Sequence, residues 1–139
     1  SSSTGLARPR PSTRYLPRPP DAVLGSPMLN TDKAWEKWGR NDPYFGVLAD
    51  ERFSAERIND NRELFFASGR DDVAGLLARY EHHFGPLPRS RALDHGCGTG
   101  RLTLPLAAQF GEVVALDVAP AMLAEAASNV AEAGAANIR

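Results

Sequence analysis

The stretch RALDHGCGTG, residues 91–100, decides the fold of this chain. Its first four residues predict a short strand, and the three glycines that follow predict a tight turn, because glycine reaches backbone angles that other residues avoid. Residues 101–110 then predict a helix closed by Gly111, with Pro105 in or near its first turn. A strand that runs through a glycine turn into a helix presents the free N–H groups of the helix start to a ligand.

The residues after this stretch repeat the same pattern. Residues 112–117 contain a continuous apolar run, which predicts a strand buried on both faces. Pro120 predicts the start of the next helix and Gly134 its end. Residues 137–139 predict the approach to a third strand. Strands and helices that alternate in this order favour a parallel α/β sheet with right-handed crossovers.

The first 30 residues have a different composition. Residues 7–11 and 16–20 alternate arginine with proline, and residues 1–30 hold few apolar side chains that could offset the entropy of ordering. We therefore expect a disordered Pro/Arg-rich tail. A transit peptide and a proline-rich ligand for a small binding domain are alternative interpretations.

Residues 31–88 predict a helical segment. Capping residues predict short helices that start at Thr31 or Asp32, at Ser54 and near Asn61, and the last of these is expected to end at Gly69. The clearest helix is expected over residues 71–84, where the apolar positions follow the helical period and Gly85-Pro86 ends the pattern. The turn Asn41-Asp42-Pro43 is expected to separate the first two helices.

The glycine turn and two acids indicate the class of ligand. The spacing is G-x-G-x-G, whereas a dinucleotide site usually has G-x-G-x-x-G with pyrophosphate over the helix start. Asp94 stands two residues before the first glycine, where a carboxylate would repel pyrophosphate and attract an ammonium group. Asp117 ends the second strand, where an acid can accept hydrogen bonds from both hydroxyls of a ribose.

Residues 92–123 resemble motif I and the following acidic motif of class I S-adenosylmethionine-dependent methyltransferases. The resemblance implies a Rossmann-like parallel sheet, truncated here after the second strand–helix unit, with residues 89–139 as the first part of that domain. It implies S-adenosylmethionine as the cofactor and methyl transfer as the reaction. The sequence departs from the family pattern at His95, where an apolar residue is more usual, and at Ala119, where a serine is more usual. The cofactor-binding residues that the resemblance implies are Asp94, Gly96, Cys97, Gly98, Gly100, Asp117, Val118 and Met122.

The segment before the motif bears a looser resemblance. Residues 35–48 are similar to N-terminal segments of some bacterial methyltransferases, and family members often use an aromatic segment there as a lid over the cofactor. Tyr44 and Phe45 are our lid candidates, whereas Trp35 and Trp38 are expected in the core because of their size.

Composition restricts the remaining possibilities. The single cysteine, Cys97, cannot form an intrachain disulfide or a zinc site, so we expect a reducing, cytoplasmic compartment and no metal. The net charge of -1 gives no electrostatic case for nucleic acid or a membrane surface, so we expect neither as a partner. By resemblance we expect a small-molecule methyl acceptor. The catalytic residues and the oligomeric state are unknown.

Two further expectations follow from the extent of the chain. It begins at Ser1 and ends at the approach to a strand, so we expect a fragment. A short sheet with open edges predicts marginal stability and no activity of the chain by itself. The alternative functions are a nicotinamide-dependent oxidoreductase and a non-catalytic protein that keeps this fold.

Overall fold

The computed structural model describes residues 30–139. Within them the chain forms a parallel pair of strands and a set of helices. The strands are β1, Arg91–His95, and β2, Glu112–Leu116. The helices are α1, Asn30–Asn41; α2, Pro43–Leu48; α3, Ile58–Phe84; α4, Thr103–Ala107; and α5, Pro120–Ala133; a 3-10 helix spans Glu51–Phe53. The predicted tail lies outside the described residues, except that α1 begins at its last position.

The sheet is the parallel α/β arrangement that the sequence predicts. The register of β1 and β2 runs from Arg91 opposite Glu112 to His95 opposite Leu116. Ile138 makes a further parallel bridge to Val113, which donates its N–H to the Asn137 carbonyl over 2.9 Å. The predicted approach to a third strand is therefore confirmed, and the fold is a Rossmann-like sheet with an N-terminal helical segment.

Helix α3 packs across one face of the sheet. Val73 and Leu77 from α3 form a buried cluster with Phe110 and Val113. A second buried cluster lies within the N-terminal helical segment, where the ring of Phe65 meets Tyr44 edge-to-face at a centroid distance of 5.0 Å. These two clusters fix α3 between the sheet and the shorter N-terminal helices.

Helix α3 differs from the prediction of two helices that meet at Gly69. It is one helix of 27 residues, and Gly69 is buried in its middle. A Cβ at Gly69 would lie 2.2 Å from the carbonyl oxygen of Arg101. The glycine is therefore there for close packing rather than for ending the helix, and the sequence alone cannot distinguish these roles.

Two other predictions need correction. The helix expected over residues 101–110 is limited to α4, in whose first turn Pro105 lies. The expectation that the second strand is buried on both faces is wrong for the described residues, since Leu93 and Leu116 on the same face are 61% and 49% exposed. Parallel strands are covered on both faces only where helices lie on both sides. Among residues 30–139, no helix is long and apolar enough to cross a membrane.

Candidate functional site

A cavity of about 430 Å³ opens at the carboxyl ends of β1 and β2. This is the place where open parallel sheets bind ligands, and the volume suits a small molecule. All of the predicted site residues except Gly100 line this cavity. They are Asp94, Gly96, Cys97, Gly98, Asp117, Val118 and Met122.

The glycine loop is tied to the end of β2 by its backbone. The N–H groups of Gly96 and Cys97 both donate to the Leu116 carbonyl, over 2.7 and 2.9 Å. Gly96 and Gly98 have φ angles of 78° and 53°, in the left-handed region that favours glycine. The loop therefore presents a narrow backbone surface to the cavity instead of side chains.

Gly100 has a different position from the other two motif glycines. Its φ is 86°, and its N–H donates to the Cys97 carbonyl over 2.9 Å. A Cβ there would lie 3.7 Å from the Cβ of Ala126 on α5. Gly100 thus shapes the turn and faces α5, away from the cavity lining, so its predicted contact with a ligand stays a prediction.

Asp94 is held in place from α4. Its side chain is buried, and its Oδ2 accepts a hydrogen bond of 2.6 Å from the Thr103 hydroxyl. Thr103 is the first residue of α4 and is itself buried. Thr103 was not predicted as a site residue, because its role comes from a hydrogen bond to Asp94, nine positions earlier, and not from capping its helix.

Asp117 joins the glycine loop to the connection between β2 and α5. Its Oδ2 accepts from the Gly98 N–H over 2.8 Å, and its Oδ1 accepts from the Ala119 N–H over 2.9 Å. The second contact is an Asx-type turn that leads the chain from β2 toward α5. Asp117 therefore stabilises the loop, in addition to the ribose contact that the sequence predicts for it.

Cys97 lies in the lining but is a poor nucleophile. Its side chain is buried, and burial together with Asp117 and Asp94 raises the pKa of the thiol to about 11. The thiolate is the reactive form, so the thiol is protonated and unreactive near neutral pH.

The N-terminal helical segment supplies one wall of the cavity. Trp35, Gly46 and Val47 line it, and a Cβ at Gly98 would lie only 2.9 Å from Val47 Cγ2. Helix α2 therefore rests directly on the glycine loop, in a contact that the backbone of glycine permits. The sequence analysis found this segment by resemblance but assigned its residues incorrectly.

The lid candidates and the expected core residues do not lie where the sequence predicts them. Tyr44 is buried in the N-terminal cluster, so its prediction as a lid residue is wrong. Phe45 packs against Trp38 at a centroid distance of 5.4 Å and is absent from the cavity lining. Trp35 and Trp38 are 46% and 41% exposed, so their expected place in the core is also wrong. Tryptophan is large enough to bury one edge and leave the rest exposed.

A polar network attaches the N-terminal segment to α5 and to the loop. The Tyr44 hydroxyl lies 2.6 Å from Glu125 Oε1 and 3.0 Å from Asn129 Oδ1. The Asn129 side-chain amide donates to the Thr99 carbonyl over 2.9 Å. Arg62 on α3 contacts the same Asn129 oxygen. Thr99 belongs to the glycine loop, so the network connects α2, α3 and α5 to that loop.

Four more residues belong to the lining, two at the ends of the strands and two just before α4. They are His95, Arg101, Leu102 and Leu116. The described part of the chain contains no group of three or more His, Cys, Asp or Glu side chains that could hold a metal ion.

Comparisons with known proteins agree with this geometry. Residues 92–139 match the family model described as "Methyltransferase domain". Among solved structures, phosphoethanolamine N-methyltransferase 1 of Haemonchus contortus, in complex with phosphoethanolamine and S-adenosylhomocysteine, aligns with a TM-score of 0.53 and 19% identity. That alignment covers 78% of this chain and 20% of the other chain, and it supports the fold alone.

The curated relatives are RNA-modifying enzymes. The 23S rRNA (uracil(1939)-C(5))-methyltransferase of Shewanella sediminis (strain HAW-EB3) is 39% identical over 51 residues, which are 37% of this chain and 12% of that protein. The enzyme of the same name from Shewanella sp. (strain MR-7) is 40% identical over 63 residues, 45% of this chain and 14% of that protein. The chain thus spans about one eighth of the length of these relatives.

These relatives contradict the expected partners. The net charge predicts no nucleic-acid partner, and the resemblance predicts a small-molecule acceptor, whereas the matched proteins are named for action on rRNA. The prediction fails because net charge averages over the whole chain and does not report which separate surface contacts a substrate. The matched family is a methyltransferase family, so the alternative of a nicotinamide-dependent enzyme receives no support.

Proposed function

We propose, from the premise that residues 92–139 are part of a class I S-adenosylmethionine-dependent methyltransferase domain, that the protein carrying this chain is a methyltransferase whose methyl donor binds in the described cavity. One observation carries this proposal. The glycine loop, Asp94 and Asp117 converge on one cavity at the carboxyl ends of two parallel strands. Ligand sites of open α/β sheets lie at that edge.

The residues of the cavity fit S-adenosylmethionine better than a phosphate-bearing nucleotide. Two carboxylates, Asp94 and Asp117, line it, and Asp94 stands beside the glycine turn, where it would repel a pyrophosphate group. A sulfonium ligand with an ammonium group and a free ribose instead offers a cation to Asp94 and two hydroxyl donors to Asp117. Val118 and Met122 add the apolar surface that an adenine ring needs.

The chain contributes binding and orientation to the reaction. When bound, the donor supplies a methyl group on a positively charged sulfur, which a nucleophile can attack directly. Catalysis of this kind rests mainly on positioning. The backbone of the glycine loop and the two acids hold the donor in one orientation, and Trp35 and Val47 form one wall of the cavity. We assign no catalytic residue.

We propose RNA as the class of methyl acceptor. The support is that the curated relatives, which match this chain over 51 to 63 residues at 35% to 40% identity, are named as 23S rRNA methyltransferases. The test is transfer of a labelled methyl group from S-adenosylmethionine to an unmodified 23S rRNA transcript, with duplex DNA of the same sequence as the control. We expect ribonuclease-sensitive label in RNA alone. No label in RNA, from protein that binds the donor, would contradict the RNA proposal and leave donor binding intact.

We also propose a division of the chain and a cellular location, both of which the sequence predicts. The first is the division into a tail over residues 1–30, a helical segment over 31–88 and the start of the methyltransferase domain over 89–139. The second is a cytoplasmic location, which rests on the single cysteine. Because Tyr44 and Glu36 bond to α5, the helical segment is an integral support of the domain. Limited proteolysis would test the division, and we expect the first cuts before residue 31.

A further inference from the structure

Arg101 lines the same cavity, and the sequence analysis did not select it. It directly follows the last glycine of the motif. Its side chain is only 11% exposed, and its NH1 donates to the Ser68 hydroxyl over 3.1 Å and to Asp72 Oδ2 over 2.8 Å. Its Nε is buried, and residues 30–139 offer it no hydrogen-bond acceptor. Since Nε is sealed from solvent, a ligand in the cavity would meet the terminal nitrogens of the guanidinium.

The backbone of Arg101 is held as firmly as its side chain. Its carbonyl oxygen lies where a Cβ of Gly69 would be 2.2 Å away, so it contacts the backbone of α3 closely. Ser68, Gly69 and Asp72 together form a seat for Arg101 on α3. A guanidinium fixed in this way loses little freedom when it binds a ligand, which favours binding.

The charges in the cavity match a zwitterion. Asp94 supplies a carboxylate, and among the described residues only its Oδ2 accepts a hydrogen bond. Arg101 supplies a cation on the same lining. A guanidinium binds a carboxylate through paired, charge-assisted hydrogen bonds and is the side chain best shaped for it. The amino-acid end of S-adenosylmethionine carries one ammonium and one carboxylate.

We infer that Arg101 binds the carboxylate of the methyl donor, opposite the ammonium that Asp94 attracts. This inference rests on the proposed function, since it requires the donor to bind in this cavity. It assigns to the arginine after the glycine turn a direct part in selecting a ligand that carries an intact amino acid.

Calorimetric titration with two ligands tests this assignment. The ligands are S-adenosylmethionine and its decarboxylated form, which differ only in the carboxylate. We expect Arg101→Met to weaken binding of S-adenosylmethionine about 10- to 100-fold, the loss typical of a charge-assisted hydrogen bond, and to change binding of the decarboxylated form less than about threefold. Arg70→Met, at an exposed arginine of α3 paired with Glu63, is the control and should change neither affinity.

The outcomes distinguish a failure of the role of Arg101 from a failure of donor binding. Equal losses for both ligands, or no loss for either, would overturn the role of Arg101 while the binding cavity stands. A folded wild-type protein that binds neither ligand would overturn both. If circular dichroism shows that Arg101→Met is unfolded, Arg101→Lys decides, because lysine keeps the charge without the paired donors. We then expect a partial loss for S-adenosylmethionine alone, and equal affinities for wild type and variant would overturn the inference.

Discussion

The two halves of the described chain, residues 30–84 and residues 91–139, use glycine for different purposes. In the second half, Gly96, Gly98 and Gly100 have positive φ angles and set the conformation of the turn. In the first half, Gly39 and Gly69 have ordinary backbone angles. A Cβ there would lie 2.8 Å from the Met122 nitrogen or 2.2 Å from the Arg101 oxygen, respectively.

This difference shows how each half acquires its structure. A conformational glycine has a local signature, because it stands in a turn between a strand and a helix. A packing glycine has none, because the atom that requires it belongs to a distant part of the chain. The N-terminal helices are therefore specified by the surface on which they pack. That surface includes Met122 and Arg101, which also line the cavity.

The largest expected effect comes from filling a packing glycine. Gly69→Ala places a methyl group against a backbone oxygen that cannot rotate away, so α3 must shift. We expect a loss of about 3 kcal/mol in the free energy of unfolding, at the upper end for overpacking. Gly75→Ala is the matched control in the same helix, where a Cβ meets nothing within 4 Å and should stabilise by up to about 1 kcal/mol.

Urea unfolding of both alanine variants measures this effect. Equal stability of the two variants would contradict the distinction between packing and conformational glycines. It would also weaken the account of Arg101, because the seat on α3 would then tolerate an extra methyl group.

The second effect concerns the polar network between the halves. Tyr44→Phe removes a hydroxyl that lies within hydrogen-bond distance of Glu125 and Asn129. It leaves the Glu125 carboxylate without this donor, whereas the Asn129 oxygen keeps its contact with Arg62. We expect a loss of about 1 to 2 kcal/mol, typical of a buried hydrogen bond with a stranded partner. Tyr80→Phe, at an exposed tyrosine of α3, is the matched control and should change stability by less than about 0.5 kcal/mol.

The tyrosine ultraviolet titration adds an independent measurement. Burial and the neighbouring Glu125 raise the pKa of Tyr44 above its usual value. We therefore expect an ionisation above the usual tyrosine pKa while the protein stays folded, and we expect it to be missing from the titration of Tyr44→Phe. A spectrum unchanged by that substitution would show that the hydroxyl is not held at this contact.

The smallest effect is a pH dependence at the start of α5. Glu36 on α1 accepts a 2.9 Å hydrogen bond from the Ala121 N–H, and this bond, with Arg40, holds the pKa of Glu36 below its usual value. A lowered pKa contributes stability above the unfolded-state pKa, and that stability is lost as the pH falls through the folded-state value. Glu36→Gln should therefore lower the unfolding temperature slightly at pH 7, and the difference from wild type should vanish as the pH falls below the folded-state pKa of Glu36.

Glu56→Gln, at an exposed glutamate, controls for the loss of one negative charge. A difference between wild type and Glu36→Gln that stays constant with pH would contradict the capping role of this carboxylate. Such a result would mean that α1 is held against α5 by other contacts, such as the close packing of Gly39.

The sequence predicts most of the second half and little of the first. The glycine turn, both strands and the limits of α5 at Pro120 and Gly134 have local signals, and the structure has them all. The continuity of α3 through Gly69 could not be predicted, since it depends on Arg101, 32 positions later in the sequence. The exposure of Trp35 could not be predicted either, because helical periodicity shows which residues share a helix face and not what covers that face.

The candidate site shows the same division. Asp94 and Asp117 could be chosen from the sequence, because each ends a predicted strand. Thr103 and Arg101 could not, because their roles arise from hydrogen bonds to Asp94 and to α3. Gly100 was chosen with the other glycines, yet it faces α5, because a repeated residue in a motif need not face one ligand.

Calorimetric titration of S-adenosylhomocysteine tests the central claim most directly, namely that the cavity at the ends of β1 and β2 binds the methyl donor. Wild type, Asp117→Asn and the exposed control Asp60→Asn would be compared after circular dichroism confirms that each is folded. We expect binding by wild type and Asp60→Asn, and a loss of at least about tenfold in Asp117→Asn, because one charged acceptor is removed from the site. A folded wild-type protein that does not bind, or an Asp117→Asn variant that binds as tightly as Asp60→Asn, would contradict the claim.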